Sequence, residues 1–307
     1  MAPPGSGDTP DVNDHTFDAA SHWRAAPAGL ERAWLARLAL AYRQDDGRCT
    51  VDFRHEGPLR ILQTLRPEGP AVAHNVLVHP PGGIVGGDVL DIDIRVGPGS
   101  HGLVTTPGAT RFYRSQGERA VQRTAISVAA GGRFEWLPLE AICYSGCLAE
   151  NRLVLDLADG AEVIGWDVTA LGLPASRLAF ERGSLLQHLE LRGRWLERGH
   201  IAADDQQLLD GPLGLAGHRC LATLFFAGGS ALGRDRRDLA LQLANDAIAA
   251  HQPAAVAGAT AAAPEVIVVR VLAPLVEPAL ALLKAVRAAW RPALWGLPAT
   301  VPRTWAM

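Results

Sequence analysis

The stretch "HPPGGIVGGDVLDIDIRVGPGS" (79–100) decides the fold class. In its second half Leu90, Ile92, Ile94 and Val96 fall on one side of an extended chain, and Asp91, Asp93 and Arg95 fall on the other. A period of two marks a half-buried β-strand. In its first half Pro80 and Pro81 fix φ, while Gly82, Gly83, Gly86 and Gly87 permit positive φ or close chain approach, so a tight scaffold turn leads into the strand. The same pattern continues on both sides. Short runs such as "LARLALAYR" (35–43), "CTVDFR" (49–54), "LRILQTL" (59–65), "HGLVTT" (101–106), "TAISVA" (124–129), "FEWLP" (134–138), "RLVLDLA" (152–158), "EVIGWDVTAL" (162–171) and "LLQHLELR" (185–192) are separated by "VGPGS", "AAGGR" and "LADGA". With no helical period between them, these runs predict a mostly β protein, antiparallel or coiled, rather than a βαβ sheet. The β body spans about 31–230.

The last third changes character. "DLALQLANDAIAAH" (238–251) sets Leu239, Leu243 and Ala247 four apart, and "VEPALALLKAVRAAW" (276–290) repeats Leu280, Leu283, Arg287 and Trp290 at helical spacing, with Pro278 in the first turn. Two α-helices are expected, at about 236–251 and 276–291. The Ala-rich "PAAVAGATAAAP" between them reads as a loop and "EVIVVRVLA" (265–273) as a strand. No internal repeat stands out.

Composition excludes several classes. Charged residues are 20% of the chain and the formal net charge is −3, so no basic surface suited to nucleic acid is expected. No uninterrupted apolar run reaches the roughly 18 residues of a membrane-spanning helix. Residues 1–30 begin with four Asp before any Lys or Arg and lack a signal-peptide layout. They read as a disordered acidic leader on a cytoplasmic protein, ahead of one domain from 31 to 307. Cys49, Cys143, Cys147 and Cys220 fit neither a disulfide scaffold nor a zinc knuckle, and buried or incidental thiols are expected.

The glycine stretch is no phosphate loop, because "GGIVGGDVL" ends in aspartate where a Walker loop carries Gly-Lys-Ser/Thr. It is no dinucleotide fingerprint either, since a strand and not a helix follows. "TTPGATRFYRS" (105–115) gathers Arg111, Tyr113 and Arg114, but no nucleophile with an adjacent base accompanies them, and a loop that docks a partner fits as well as an anion site. Neither G-x-S-x-G nor H-E-x-x-H occurs. Four carboxylates sit against apolar segments: Asp88, Glu140, Asp167 and Glu197. Asp167 lies between Trp166 and Val168 in an apolar strand, where a buried acid needs a partner, an ion or water. Taken singly, each is better explained by structural hydrogen bonding.

In order from about Ala36 to the end, "HPPGGIVGGDVLDIDI", "TTPGATRFYRS", "EWLPLEAICY", "GWDVTALGLPA" and "PRTWAM" resemble the UreD (UreH) family of urease accessory proteins. The resemblance implies a non-enzymatic maturation factor with a β-helix-like body and two helices. It implies binding to apo-urease and to UreF, with UreG joining through UreF, and delivery of nickel along an internal, water-filled passage. No tightly bound cofactor is implied, only Ni2+ in transit. Nitrogen and sulfur cages hold Ni2+ firmly, whereas spaced carboxylates, carbonyls and water let it move on. Asp88, Asp167 and Glu197 match acidic positions in the family's motifs and are the expected stations, with Glu140 a fourth. Arg111, Tyr113, Arg114, Arg303 and Trp305 are the expected partner contacts. Departures from the family pattern are Leu173 in place of an arginine, a missing glutamate in "ASRLAFERG", Leu139 in place of a glutamine, and a terminal methionine. Two rival readings remain: a clamp that opens urease without carrying metal, and a hydrolase using Asp88 and Asp167 as acid and base.

Overall fold

The computed structural model describes residues 34–251 and 256–306; the expected leader at 1–30 lies outside them. The first strands are β1 (Trp34–Asp45), β2 (Arg48–Glu56), β3 (Arg60–Leu65), β4 (Val72–Val78), β5 (Asp88–Val96) and β6 (His101–Thr105). Next come β7 (Thr110–Phe112), β8 (Ala120–Val128), β9 (Arg133–Leu137), β10 (Ala141–Cys143), β11 (Cys147–Leu157) and β12 (Glu162–Leu171). The chain continues through β13 (Gly183–Leu191), β14 (Trp195–Ala202), the short α1 (Gln206–Asp210), β15 (Cys220–Gly228) and α2 (Arg234–Ala250). It closes with β16 (Val256–Ala263), β17 (Val266–Ala273) and α3 (Val276–Trp290).

From β4 to β13 the chain winds as a β-helix. One sheet has the order β14-β13-β11-β8-β5-β1-β2, and its inner pairs β1·β5, β5·β8, β8·β11 and β11·β13 are parallel. The facing sheet follows β16-β17-β15-β12-β9-β6-β4-β3, again parallel through β4·β6, β6·β9 and β9·β12. A narrow third side stacks Ile84 on Phe112 of β7 and Phe112 on Cys143 of β10. Antiparallel strands are confined to the margins of both sheets. Coiled and antiparallel pairing therefore coexist.

A structural repeat is present, although no repeat stands out in the sequence. Val72, His101, Arg133 and Glu162 stand in register, one coil being on the order of thirty residues, within the solenoid range. The sequence trace of this repeat is the separator set. Gly99 (φ +63), Gly131 (φ +68) and Gly160 (φ +72) form a column of left-handed turns between successive coils, with Ala129 N–H bonded to Val96 O and Ala158 N–H to Val128 O. Side-chain identity varies freely from coil to coil, so only the turn chemistry repeats.

Two further sequence expectations need correction. Val256–Ala263, read as part of a loop, is strand β16, because β17 offers it an antiparallel main-chain partner and that pairing outweighs the low strand preference of alanine. On α2 the buried residues are Ala240 and Ala244, while Leu239 is 40% exposed, so the helix meets the sheet through its smallest side chains and the stripe is rotated by one residue. On α3 Leu280, Leu283, Arg287 and Trp290 are buried, as their spacing predicts. The layers are thus sheet, sheet and helices, with one apolar core between the sheets and a second beneath α2 and α3. The four cysteines are free and buried.

Candidate functional site

The space between the two sheets is mainly apolar; besides the buried Tyr42–Asn75 hydrogen bond it holds a polar seam. Parity builds it: Gln122, Asn151 and Gln187 occupy inward positions on β8, β11 and β13 and pair in register. Across the gap Asp167, Thr223 and Arg270 form a matching row on β12, β15 and β17. Asp167 is buried and accepts hydrogen bonds from Gln187 Nε2 and Asn151 Nδ2, each at 2.6 Å, and from Thr169 Oγ1 at 3.4 Å. Gln122 Nε2 donates in turn to Asn151 Oδ1 at 3.3 Å. Burial pushes the Asp167 carboxyl up to about 6; the hydrogen bonds from Gln187, Thr169 and Asn151 oppose this, and the neighbouring Glu197 adds to it. Every partner Asp167 bonds is neutral, so its charge has no fixed counter-ion at neutral pH.

At the far edge of the seam Glu197 on β14 accepts from Thr223 Oγ1 at 3.3 Å and forms an ion pair with Arg270. Asp167 and Glu197 are therefore brought together, within electrostatic reach across Thr223. At the near side a cavity of about 20 Å3 is lined by Asp167, Asn151, Thr124, Thr110 and Gln122, enough for one water-sized body. The buried Thr124 hydroxyl on this wall has no hydrogen-bond partner among the described residues. Thr110 and Gln122 also line an outer cavity of about 180 Å3, whose walls include His79, Gly82, Gly83 and Arg111. Burial holds the His79 imidazole below its ordinary value, with Asp88 opposing, and its Nε2 is buried and unbonded.

Gly82 and Gly83 of the glycine stretch form part of the rim of that outer cavity, and Gly86 and Gly87 follow just beyond it. Gly82 (φ +78) and Gly87 (φ +91) are left-handed, but Gly83 and Gly86 are not. Those two are small because neighbours press on them: a Cβ at Gly83 meets Tyr113 Cε2 at 2.2 Å, and one at Gly86 meets Ser115 Oγ at 2.3 Å and Glu118 O at 2.6 Å. Asp88 Oδ2 accepts from Val85 N at 2.9 Å, which closes the turn, and Asp88 lines neither cavity. Among the described residues Asp88 and Asp167 line no common cavity, so the paired acids of an acid–base hydrolase are not brought together. Glu140 lies apart as well, in a surface cavity of about 140 Å3 with Leu173, Leu275 and Glu277.

Of the expected contact residues, Arg111 on β7 and Arg114 just after it are exposed beside the rim, and the Tyr113 ring packs against Tyr144 at 5.0 Å. Arg303 is exposed, whereas Trp305 stacks on Trp166 at 5.2 Å and donates to Thr105 Oγ1 at 3.0 Å. Among the described residues no group of three or more His, Cys, Asp or Glu is placed to hold a metal ion, and no helix is long and apolar enough to cross a membrane.

Sequence reasoning missed the amides of the seam and a second buried carboxylate. Glu135 on β9 is fully buried beneath α3. It accepts from Arg287 Nε at 2.7 Å and pairs with Arg291 Nε at 3.2 Å and His101 Nε2 at 3.3 Å. Arg291 also meets Glu68, which bonds His74 Nε2 at 2.7 Å. Burial alone would raise Glu135, yet Arg287, His101 and Arg291 hold it down to about 2. The available signal was parity: an amide at an inward strand position, or an acid flanked by Phe134 and Trp136, is out of place unless it is bonded.

A family model described as UreD urease accessory protein matches residues 35–306. A urease accessory protein UreD of Polaromonas naphthalenivorans (strain CJ2) is 61% identical over 274 residues, which cover 89% of this chain and 99% of that one. The protein of the same name from Variovorax paradoxus (strain S110) is 62% identical with the same coverage. That of Leptothrix cholodnii (strain ATCC 51168 / LMG 8142 / SP-6) is 54% identical over 275 residues.

Proposed function

The chain belongs to the UreD family of urease accessory proteins, and on that premise we propose that it binds apo-urease with UreF, and with UreG through UreF, and passes nickel along its inter-sheet seam. Its established role is that of a maturation factor and not of an enzyme. Cytoplasmic placement belongs to the same proposal. The observation that carries the nickel reading is the coordination of Asp167: a buried carboxylate held only by neutral donors and bordering a cavity that shares two wall residues with a larger outer one.

The chemistry follows from that environment. A divalent cation entering through the outer cavity passes Arg111, the His79 imidazole and the oxygens of Thr110 and Gln122 before it reaches the Asp167 carboxylate. Asp167 attracts it without a competing guanidinium to displace, and the groups that hydrogen-bond Asp167 are amides and a hydroxyl rather than thiols or imidazoles, which keeps the affinity low enough for release. Asp88 serves this route by holding the rim turn in shape. Glu197 is the next oxygen donor beyond Thr223, and the cation must take the place of Arg270 there.

That last ion pair favours a second reading, in which the seam is closed at its far edge and the protein only clamps urease open. Asp167→Ala, expressed with the urease operon, separates the two. The conduit reading expects the complex to assemble normally while nickel recovered in urease falls about tenfold, the loss of one strong oxygen donor. Unchanged nickel loading with intact assembly removes Asp167 from any route and leaves the clamp.

A further inference from the structure

The outward face of the seven-stranded sheet carries a ladder of basic side chains. Arg123 on β8 pairs in register with Arg152 on β11, Arg152 with His188 on β13, and His188 with Arg198 on β14. The rungs are therefore spaced at about 4.8 Å, the distance between strands. Asp91 on β5 ends the row on one side. Arg152 and Arg198 are exposed; Arg123 and His188 are half-buried.

Elsewhere on this face, opposite charges meet across the strands. Arg37 lies 3.6 Å from Glu56 and Arg192 3.7 Å from Asp156. In the ladder, Arg152 and His188 share the single Glu190, at 3.7 and 2.7 Å, and neither Arg123 nor Arg198 has an ion-pair partner among the described residues. Like charges placed directly opposite one another destabilise a sheet, so a face that only meets water gains nothing from this alignment.

We infer that the ladder is a docking strip for an acidic α-helix of a partner protein, laid across the strands. Carboxylates on one face of a helix recur each turn, about every 5.4 Å, close to the rung spacing. Same-side carboxylates on an extended strand recur at roughly 6.7 Å and drift out of step. Leu196, 58% exposed and paired with Glu190 on the neighbouring row, supplies an apolar anchor for an amphipathic helix. A nucleic acid backbone fits worse, since it needs a longer run of cations to meet its phosphates than the three arginines and one histidine of this strip supply. The strip lies on the opposite face of the sheet from Asn151 and Gln187, so the inference does not depend on the nickel reading.

The test is fluorescence anisotropy with the full chain and two labelled Ala-based helical peptides of equal charge. In one the glutamates fall on a single face; in the other they are spread around the helix. The one-faced peptide is expected to bind more tightly, and the double substitution Arg123→Gln and Arg198→Gln is expected to weaken it about tenfold, as the loss of charge-assisted hydrogen bonds does. Arg192→Gln, on the same face but off the ladder, is expected to leave binding unchanged, and thermal unfolding of each variant reports whether the fold is intact. Equal affinity for the two peptides, no binding of either, binding indifferent to the double substitution in a folded variant, or tighter binding of a single-stranded oligonucleotide would each overturn the proposal.

Discussion

Asp167 and Glu135 are both buried acids on strands of the same sheet, and they face opposite ways. Asp167 points into the gap between the sheets and is met by amides and a hydroxyl. Glu135 points toward α3 and is met by Arg287, Arg291 and His101. Burial penalises both charges, yet the neighbours send them apart, one up to about 6 and the other down to about 2. The difference teaches that burial of a carboxylate does not by itself mark a functional site. Glu135 is fully used by its cations and ties the helix layer to the sheet. Asp167 keeps an uncompensated charge beside a cavity, and a passing cation can answer that charge.

The largest expected effect comes from breaking the satisfied side. Glu135→Ala leaves the buried Arg287 without a carboxylate and Arg291 with Glu68 alone, and is expected to cost about 3–5 kcal/mol, measured by denaturant unfolding. The pH dependence carries the same sign. A carboxyl with an ordinary value near 4.5, lowered to about 2 by folding, gives stability that is present above that ordinary value and lost as pH falls toward 2. The wild-type chain should therefore lose on the order of 3 kcal/mol over that window through this group, and the Ala variant should lack this component. An unfolding curve for Glu135→Ala that matches the wild type would show that the ion cluster is not what joins the layers.

How much of this was legible differs between the two acids. The strand runs, the two long helices and the mostly β class follow from apolar period and turn residues, which act locally. The coil repeat stayed hidden because parallel coils share turn geometry and pairing register but not side chains, and only Gly99, Gly131 and Gly160 mark it. Asp167 stood out because it interrupts an apolar strand. Its donors did not, since Asn151 and Gln187 come from strands that are distant in sequence and meet it only across the sheet gap. Glu135 and Arg287 lie 152 residues apart, and nothing local links them. In the glycine stretch positive φ is not the reason for Gly86: the close approach of the Ser115 and Glu118 segment is.

That distinction gives the next expected effect, on the seam side of the comparison. Gly86→Val drives a side chain into Ser115 Oγ and Glu118 O, an overpacking expected to cost about 2–3 kcal/mol. Gly86→Ala tests the cause, because alanine introduces the same Cβ clash without the branched side chain. If thermal unfolding finds the Ala variant as stable as the wild type, the crowding account of the rim fails. On the helix side, Trp305→Ala removes the stack on Trp166, the bond to Thr105 and the cations Lys284 and Arg287 at 4.8 and 5.5 Å from the ring. Trp305 is half-buried, so a loss of about 1–2 kcal/mol is expected, below the range for a fully buried tryptophan.

The smallest effect on stability is the sharpest, because its sign is reversed. Folding raises Asp167 from an ordinary value of 3.8 to about 6, so the folded chain binds the extra proton between those values, and stability falls as pH rises through that window. Asp167→Asn removes the ionisation and should flatten that fall. Taken alone, the shift is worth on the order of 3 kcal/mol above pH 6. The amide returns part of this, because its NH2 faces donors: either Gln187 or Asn151 must present its oxygen instead, and a turned Asn151 gives up its bond from Gln122. A net gain of about 1 kcal/mol at pH 7.5 is expected in denaturant unfolding, with no gain at pH 4. A variant less stable than the wild type at pH 7.5 would mean that Asp167, like Glu135, is held by its surroundings as a structural charge, and the contrast between the two acids would disappear.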